Sequence, residues 1–212
     1  MDTGVIAVIG VCAALVLWYG AGHLYNRARG QRLFRWLKAG IDVLGGEREE
    51  GWIGSPASGA RVNVLHADPP FRRLEITLLL ENREVPLLWL LDRLRGRKDR
   101  LIIRATLRSP RRGAVEIAAS RRRIGHWQDQ GWTRHAGPHG LTMAAQGPGV
   151  QRQVTTLEPW LQSYGPHLHR FVWHKTDPHI QLQVNVGGLL PTSSAALLAD
   201  LQAALGGSND TK

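Results

Sequence analysis

The sequence predicts a single membrane-spanning helix followed by an α+β domain, in which an antiparallel sheet carries helices on one face. Three observations lead to this prediction. An uncharged apolar run covers residues 5–22. Beyond residue 51, short segments alternate apolar and polar side chains with the period of two that is typical of half-buried strands. Helix-spaced apolar stripes lie among these segments, and runs of strands with interspersed helices are typical of the α+β class.

The predicted organisation has four parts along the 212 residues. With hydrophobic residues at 43%, a folded chain is expected rather than wholesale disorder. The parts are a transmembrane anchor at 1–23, a juxtamembrane amphipathic helix and linker at 24–50, a cytoplasmic α+β domain at 51–206 and a disordered tail at 207–212.

The first predicted element is the apolar run. As a helix it would be about 27 Å long, close to the ~30 Å hydrocarbon thickness of a bilayer. Trp18 and Tyr19 lie near its end, where an aromatic belt is expected. The alternatives are a cleaved signal peptide and a buried core helix. No Lys or Arg precedes the run and no small-residue cleavage site follows it, so the sequence favours a signal-anchor.

Basic side chains follow the apolar run, and none precedes it. By the positive-inside rule, this asymmetry predicts an N-terminus outside and a cytoplasmic C-terminal domain. The same cations are expected to contact acidic lipid headgroups. They are Arg27, Arg29, Arg32, Arg35 and Lys38.

A second helix is predicted in residues 29–46. Leu33, Leu37, Ile41 and Leu44 recur at helical spacing, and glycines follow them. We interpret this segment as an interfacial helix whose apolar stripe lies in the headgroup boundary. The alternative is a continuation of the first helix that packs on the following domain. The acidic run that ends at residue 50 is predicted to be a short solvated linker.

Seven strands and three helices are predicted after residue 51. The strands, identified by alternation and flanking turn residues, are at 60–67, 72–81, 99–109, 113–120, 140–147, 167–176 and 179–187. The helices, identified by apolar stripes, start residues and terminal glycines, are at 86–96, 155–165 and 191–207. Residues 121–140 show neither period and are predicted to be a long surface loop.

Two predicted turns, at 109–112 and 177–178, join neighbouring strands into hairpins. The order strand–helix–strand–turn–strand therefore occurs twice. Both of the helices concerned contain Trp-Leu shortly before a glycine, at Trp89 and Trp160. We interpret this order as two strand–helix–hairpin repeats, with a chance agreement of generic α+β elements as the alternative.

The formal net charge of +10 favours anionic partners. A second basic set, on one face of the strand at 99–109 and in the turn after it, is predicted to bind anions or lipid. The alternative is a solvated face that is partly neutralised by cross-strand partners such as Glu75 or Glu116. The set consists of Arg104, Arg108, Arg111 and Arg112.

A third set combines arginine and tryptophan within the predicted loop. Basic and aromatic residues together can grip single-stranded nucleic acid or lie at a membrane interface. We therefore treat the loop as a candidate binding surface, although no nucleic-acid-binding motif accompanies it. The residues are Arg121, Arg122, Arg123, Trp127 and Trp132.

Motifs for catalysis and cofactors are missing from the sequence. It contains no phosphate-binding glycine loop, no G-x-S-x-G and no H-E-x-x-H. The single cysteine, Cys12, lies in the apolar run, so neither an intramolecular disulfide nor a cysteine nucleophile is expected. His167 and His169 would share a strand face as two metal ligands could, but no acidic or cysteine residue nearby completes a site. We predict no cofactor and no metal.

These observations favour a non-enzymatic binding or scaffolding module held at the membrane by one span. Its expected partners are acidic lipid headgroups or an acidic protein. The alternatives are a membrane-tethered nucleic-acid-binding protein and a membrane-bound enzyme without a recognised motif.

Overall fold

The computed structural model describes residues 2–109, 113–120, 124 and 131–206. These residues form an α+β fold with one long N-terminal helix and a nine-stranded sheet, as predicted for the class. The helices are α1 (Thr3–Lys38), α2 (Pro86–Leu94), α3 (Val150–Tyr164) and α4 (Ser194–Gly206). The strands are β1 (Glu47–Trp52), β2 (Gly59–Leu65), β3 (Phe71–Leu79), β4 (Arg100–Leu107), β5 (Ala114–Ala118), β6 (Thr133–Ala136), β7 (Thr142–Gln146), β8 (Leu168–Trp173) and β9 (Ile180–Asn185).

The strands lie in the order β1-β2-β3-β4-β9-β8-β5-β7-β6, and every neighbouring pair in this order is antiparallel. The hairpin predicted around Asp177-Pro178 is confirmed, because β8 pairs with β9. The hairpin predicted between β4 and β5 is wrong. β4 pairs with β3 and β9, so both of its hydrogen-bonding edges are occupied. The turn residues between β4 and β5 favoured a hairpin, but both strands pair with other strands of the sheet instead.

The two predicted repeats differ in their connections. In the first half, β3 and β4 are antiparallel neighbours joined through α2. In the second half, β7 and β8 lie on either side of β5 and are both antiparallel to it, so they run parallel to each other. The duplication is therefore not confirmed.

The core lies between one face of the sheet and helices packed on that face. Alternate residues of the central strands, such as Ile103 on β4 and Leu182 on β9, are fully buried. Leu157 of α3 and Leu201 of α4 belong to the same cluster. Polar side chains such as Gln181 occupy the opposite face, as the alternation in the sequence predicts. α2 contributes no buried residue.

α1 continues without a break to Lys38, and its C-terminal part belongs to the core. Leu33 and Leu37 are buried, as are Ile41 and Leu44 in the 3₁₀ turn that follows. The predicted interfacial helix is therefore wrong, and the alternative, a continuation of the first helix that packs on the domain, is correct. A helical apolar stripe fits lipid and core equally well. Here α4 and the sheet supply the surface that covers it.

Both sheet edges differ from the sequence prediction. The predicted linker contributes β1, and part of the predicted loop at 121–140 contributes β6. All six residues of β1 are exposed, so the strand carries no apolar–polar alternation that a sequence pattern could detect. Exposed, charged edge strands of this kind are common because they discourage pairing with other chains.

α3 begins at Val150, earlier than predicted. Thr155 and Thr156, at the start of the predicted helix, lie inside α3, where their hydroxyls donate to the carbonyls of Gln151 and Arg152 at 3.0 and 2.7 Å. A Thr hydroxyl can cap a helix or bond back to a carbonyl inside one, so this residue type does not by itself locate the start of the helix. The predicted tail at 207–212 lies outside the described residues.

Candidate functional site

The five cations that follow the apolar run do not form one surface. Arg27, Arg32, Arg35 and Lys38 are exposed along α1, and the Lys38 ammonium lies 2.6 Å from the Glu50 carboxylate. Arg29 instead turns into the protein. Its side chain is only 21% exposed, and it pairs with a buried carboxylate.

That carboxylate belongs to Asp99, whose side chain is 2% exposed. Arg29 Nε donates to Asp99 Oδ2 at 2.5 Å. The two terminal nitrogens of Arg83 donate to Oδ1 at 2.9 Å and to Oδ2 at 3.2 Å. The backbone N–H of Glu81 donates to Oδ1 at 3.0 Å. This Asp99 cluster therefore joins α1, the β3–α2 connection and the start of β4.

The Asp99 carboxyl is held in its ionised form. Burial alone would raise its pKa, but the hydrogen bonds from Arg83, Arg29 and the Glu81 N–H outweigh burial and hold the pKa below its usual value. Asn26 extends the cluster, because its amide donates to the Glu81 carbonyl at 2.8 Å and accepts from Arg83 at 2.9 Å. These bonds satisfy buried polar groups, so the cluster has a structural role.

A basic cleft of about 590 Å³ opens beside the Asp99 cluster. Its lining includes Arg93, Arg97, Lys98 and His167, which come from the C-terminal end of α2, the segment before β4 and the turn before β8. Arg97 also lies 3.0 Å from the Asp92 carboxylate. Cations that converge in this way can attract a phosphate or another small anion. In the sequence, the cations at 93–98 are only a charged run. The cleft is formed by the fold, which places His167 in the same lining.

The second predicted basic set is divided by its contacts. Arg104 is half-exposed and lies opposite Glu75, 3.8 Å from its carboxylate, as expected for a cross-strand pair. The Arg108 guanidinium donates to the carbonyls of Phe71 at 2.9 Å and Ala67 at 2.7 Å, so it braces the backbone. The remaining members of this set, Arg111 and Arg112, lie outside the described residues.

The other expected cross-strand partner, Glu116, is buried and lies 3.5 Å from Arg170 on β8. It therefore pairs with a cation outside the predicted set. β5 does not lie beside β4, and this placement gives Glu116 a different neighbour from the one that a β4–β5 hairpin would supply.

The structure describes the arginine–tryptophan loop at Ile124 and from residue 131 onward. Arg121, Arg122, Arg123 and Trp127 lie outside the described residues. Trp132 is half-buried and packs against a small cluster of Ala118, Ile124 and Ala144 on the second face of the sheet. This packing gives Trp132 a structural role, and a binding role for the loop stays a prediction.

The histidines and carboxylates do not assemble into a metal centre where the structure is described. Within residues 2–109, 113–120, 124 and 131–206, no group of three or more His, Cys, Asp or Glu side chains could hold a metal ion. His179 instead accepts a hydrogen bond from the Leu107 N–H at 3.0 Å. Asp177 accepts one from the Thr106 hydroxyl at 2.5 Å, and this bond, together with Arg73, lowers the pKa of its carboxyl.

The N-terminal half of α1 is the other prominent feature. α1 is long and apolar enough to cross a membrane: its most apolar 18-residue window has a mean hydropathy of 2.2, and no part of that window is buried. Trp18 and Tyr19 are exposed near the point where α1 first contacts the rest of the fold.

Compared with known proteins, the chain matches no family model and no curated protein sequence.

Proposed function

We propose that this chain is a single-pass membrane protein whose N-terminus lies outside and whose α+β domain lies on the cytoplasmic side. There the domain acts as a non-enzymatic binding or scaffolding module for acidic lipid headgroups or an acidic protein. The observation that carries the proposal is the exposure of the apolar N-terminal half of α1. Residues 2–19 are exposed although most are apolar, and the same helix continues into the core. In water such a surface would be unfavourable, whereas a bilayer would cover it.

The charge distribution supports the orientation. Arg27, Arg32, Arg35 and Lys38 are exposed on α1 just beyond the apolar part, within the distance over which the positive-inside rule applies. Because α1 is continuous, these cations and the basic cleft are held near the same bilayer surface. Acidic headgroups are then the closest anions.

Membrane insertion predicts a specific fractionation result. The full-length chain should resist extraction from membranes by alkaline carbonate, and its intact mass should include residues 1–22. In a Cys12→Ser background, Leu65→Cys should react with a membrane-impermeant maleimide only from the cytoplasmic side, because Leu65 is an exposed residue of the domain. The matched control lacks residues 2–17, which precede the first contacts of α1 with the domain.

After carbonate extraction, the control variant should appear in the soluble fraction. Cleavage of the full-length chain after the apolar run, release by carbonate, or maleimide labelling from the outer side would each contradict the proposal.

Headgroup binding predicts a separate result for the variant that lacks residues 2–17. It should float with vesicles of phosphatidylcholine and phosphatidylglycerol at low salt, and added salt should release it because screening weakens exposed charge pairs. Neutralising Arg27, Arg32 and Arg35 together to Gln should weaken this binding, since all three are exposed. Arg108→Gln is the control, because Arg108 bonds to two carbonyls. Equal flotation with neutral and acidic vesicles would contradict the lipid-binding role, and salt-sensitive binding of single-stranded DNA instead would favour the nucleic-acid alternative.

A further inference from the structure

We propose that α2 is a second membrane contact: it lies in the interface of the cytoplasmic leaflet, with its leucines among the upper acyl chains and its C-terminal cations among acidic headgroups. This inference rests on the proposed single-pass function and adds a second element to the membrane-bound surface. It concerns an element that the sequence predicts only as an ordinary domain helix.

The orientation of α2 is inverted relative to that of a core helix. Leu87, Leu90, Leu91 and Leu94 recur at helical spacing, and their exposed fractions are 66%, 49%, 39% and 77%. None of the residues of α2 is buried. Trp89 instead faces α1, with its ring centroid 5.8 Å from that of Trp18. The nine-residue helix therefore presents its leucines to the surroundings and not to the core of the domain.

The contacts between α1 and the start of α2 set the depth of α2 along α1. The segment that leads into α2 is fastened to α1 at the end of the apolar run. Trp18 Nε1 donates to the Arg83 carbonyl at 3.1 Å, and a Cβ on Gly22 would lie 2.4 Å from that same oxygen. His23 lies 2.9 Å from the Glu84 carboxylate. Tryptophan near the end of a span lies at the boundary between headgroups and acyl chains. α2 is therefore held at the depth where interfacial helices lie.

The C-terminal end of α2 is positively charged. Arg93, Arg95, Arg97 and Lys98 are exposed at and just after the end of α2. Arg93 lies over the Trp89 ring, 5.5 Å from its centroid. Leucines followed directly by arginine and lysine are the composition that interfacial helices use on acidic membranes. Cations at this end also favour the C-terminus of the helix itself.

Lipid is the occupant that these observations favour over a second copy or another protein. The exposed leucines lie on a helix that contacts Trp18, at the end of the exposed apolar part of α1. One bilayer can cover both surfaces at once. Leu65 pairs with Arg73 near the start of β3, whereas α2 follows the end of β3. Leu65 therefore lies at the end of the strands opposite to α2.

The test measures depth in the full-length chain. In a Cys12→Ser background, single cysteines at Leu90, Leu65 and Leu17 carry an environment-sensitive fluorophore, and the protein is reconstituted in vesicles of phosphatidylcholine and phosphatidylglycerol. Spin-labelled lipids with the label high on the acyl chain then quench the fluorophore. Leu90 and Leu65 form a matched pair, because their exposed fractions are 49% and 48%. Leu17, which is 73% exposed, reports on the span.

We expect several-fold stronger quenching at position 90 than at position 65, together with a blue-shifted emission. If position 17 is quenched while position 90 behaves like position 65, the inference about α2 is wrong and the single-pass function stands. Protection of position 90 from aqueous iodide without lipid quenching would also overturn it, because a protein would then cover the helix. If neither position 17 nor position 90 is quenched, the proposed function fails as well.

Discussion

Replacing Asp99 with Asn is expected to lower the free energy of unfolding by about 3–5 kcal/mol, the usual cost of breaking a buried ion pair on one side. Asn preserves the size of the side chain but removes the negative charge that Arg29 and Arg83 share. Arg83 keeps an ion pair with the Glu81 carboxylate, which lies 3.0 Å away, whereas Arg29 loses its ion pair with Asp99. Denaturant unfolding of the full-length chain in detergent micelles, followed by tryptophan fluorescence, measures this loss.

Asp42→Asn is the matched control. Asp42 pairs with Arg48 at 2.6 Å, but the Asp42 side chain is 73% exposed. Exposed pairs contribute about 0–1 kcal/mol. Equal effects of the two substitutions would show that the Asp99 cluster does not hold α1 and β4 together.

The same cluster predicts how this effect depends on pH. The pKa of Asp99 is lower in the folded state than in the unfolded chain, where Asp titrates near about 3.9. The unfolded state therefore takes up protons first as the pH falls. The stability that Asp99 contributes is fully present above that value and is lost as the pH falls through the folded-state pKa. The stability difference between wild type and Asp99→Asn should consequently narrow below about pH 4.

Replacing Leu33 with Ala is the second large effect, with an expected loss of about 2–5 kcal/mol. Leu33 is fully buried in the core between α1, the sheet and α4. The substitution removes apolar contacts and leaves a cavity. Leu24→Ala on the same helix is the control, because Leu24 is 68% exposed. Thermal and denaturant unfolding of both variants measure the difference.

This comparison distinguishes a core position from an exposed one on the same helix. If residues 31–44 formed an independent interfacial helix, Leu33→Ala and Leu24→Ala would both leave the unfolding of the domain nearly unchanged. A large effect at Leu33 alone would show that α1 belongs to the fold. Fragments that begin near residue 47 should for the same reason unfold easily, since they lack Leu33, Leu37, Ile41 and Leu44.

The sequence predicted the elements that local chemistry specifies. The apolar run at 5–22 appears as the exposed half of α1, and Pro86 and Gly96 bracket α2 as expected. The β8–β9 hairpin was predictable because its turn joins two strands that lie side by side. Alternation located strands such as β3 and β9, because their residues are buried on one face of the sheet and more exposed on the other. The edge strands β1 and β6 were not predicted, because neither has a buried face that would produce an apolar–polar alternation.

The candidate site was predictable only in part. The sequence located the cations of α1 and of β4, but it treated Arg29 as one of five equivalent headgroup contacts. The structure pairs Arg29 with Asp99, which lies 70 positions away. It also shows that Arg108 bonds to backbone carbonyls, and it brings His167 to the 93–98 cations. Contacts across such separations leave no local pattern, because neither residue type nor spacing encodes the partner.

The sequence by itself determined that the chain has one uncharged apolar helix, a basic flank and an α+β domain. The tertiary structure alone decided which apolar stripe is buried. Leu33 and Leu37 share their helical spacing with Leu90 and Leu94, yet the first pair is buried and the second exposed. The periodicity of a stripe depends on the helix that carries it, whereas its burial depends on the surface opposite. That surface is assembled by strand pairing and helix packing between distant parts of the chain.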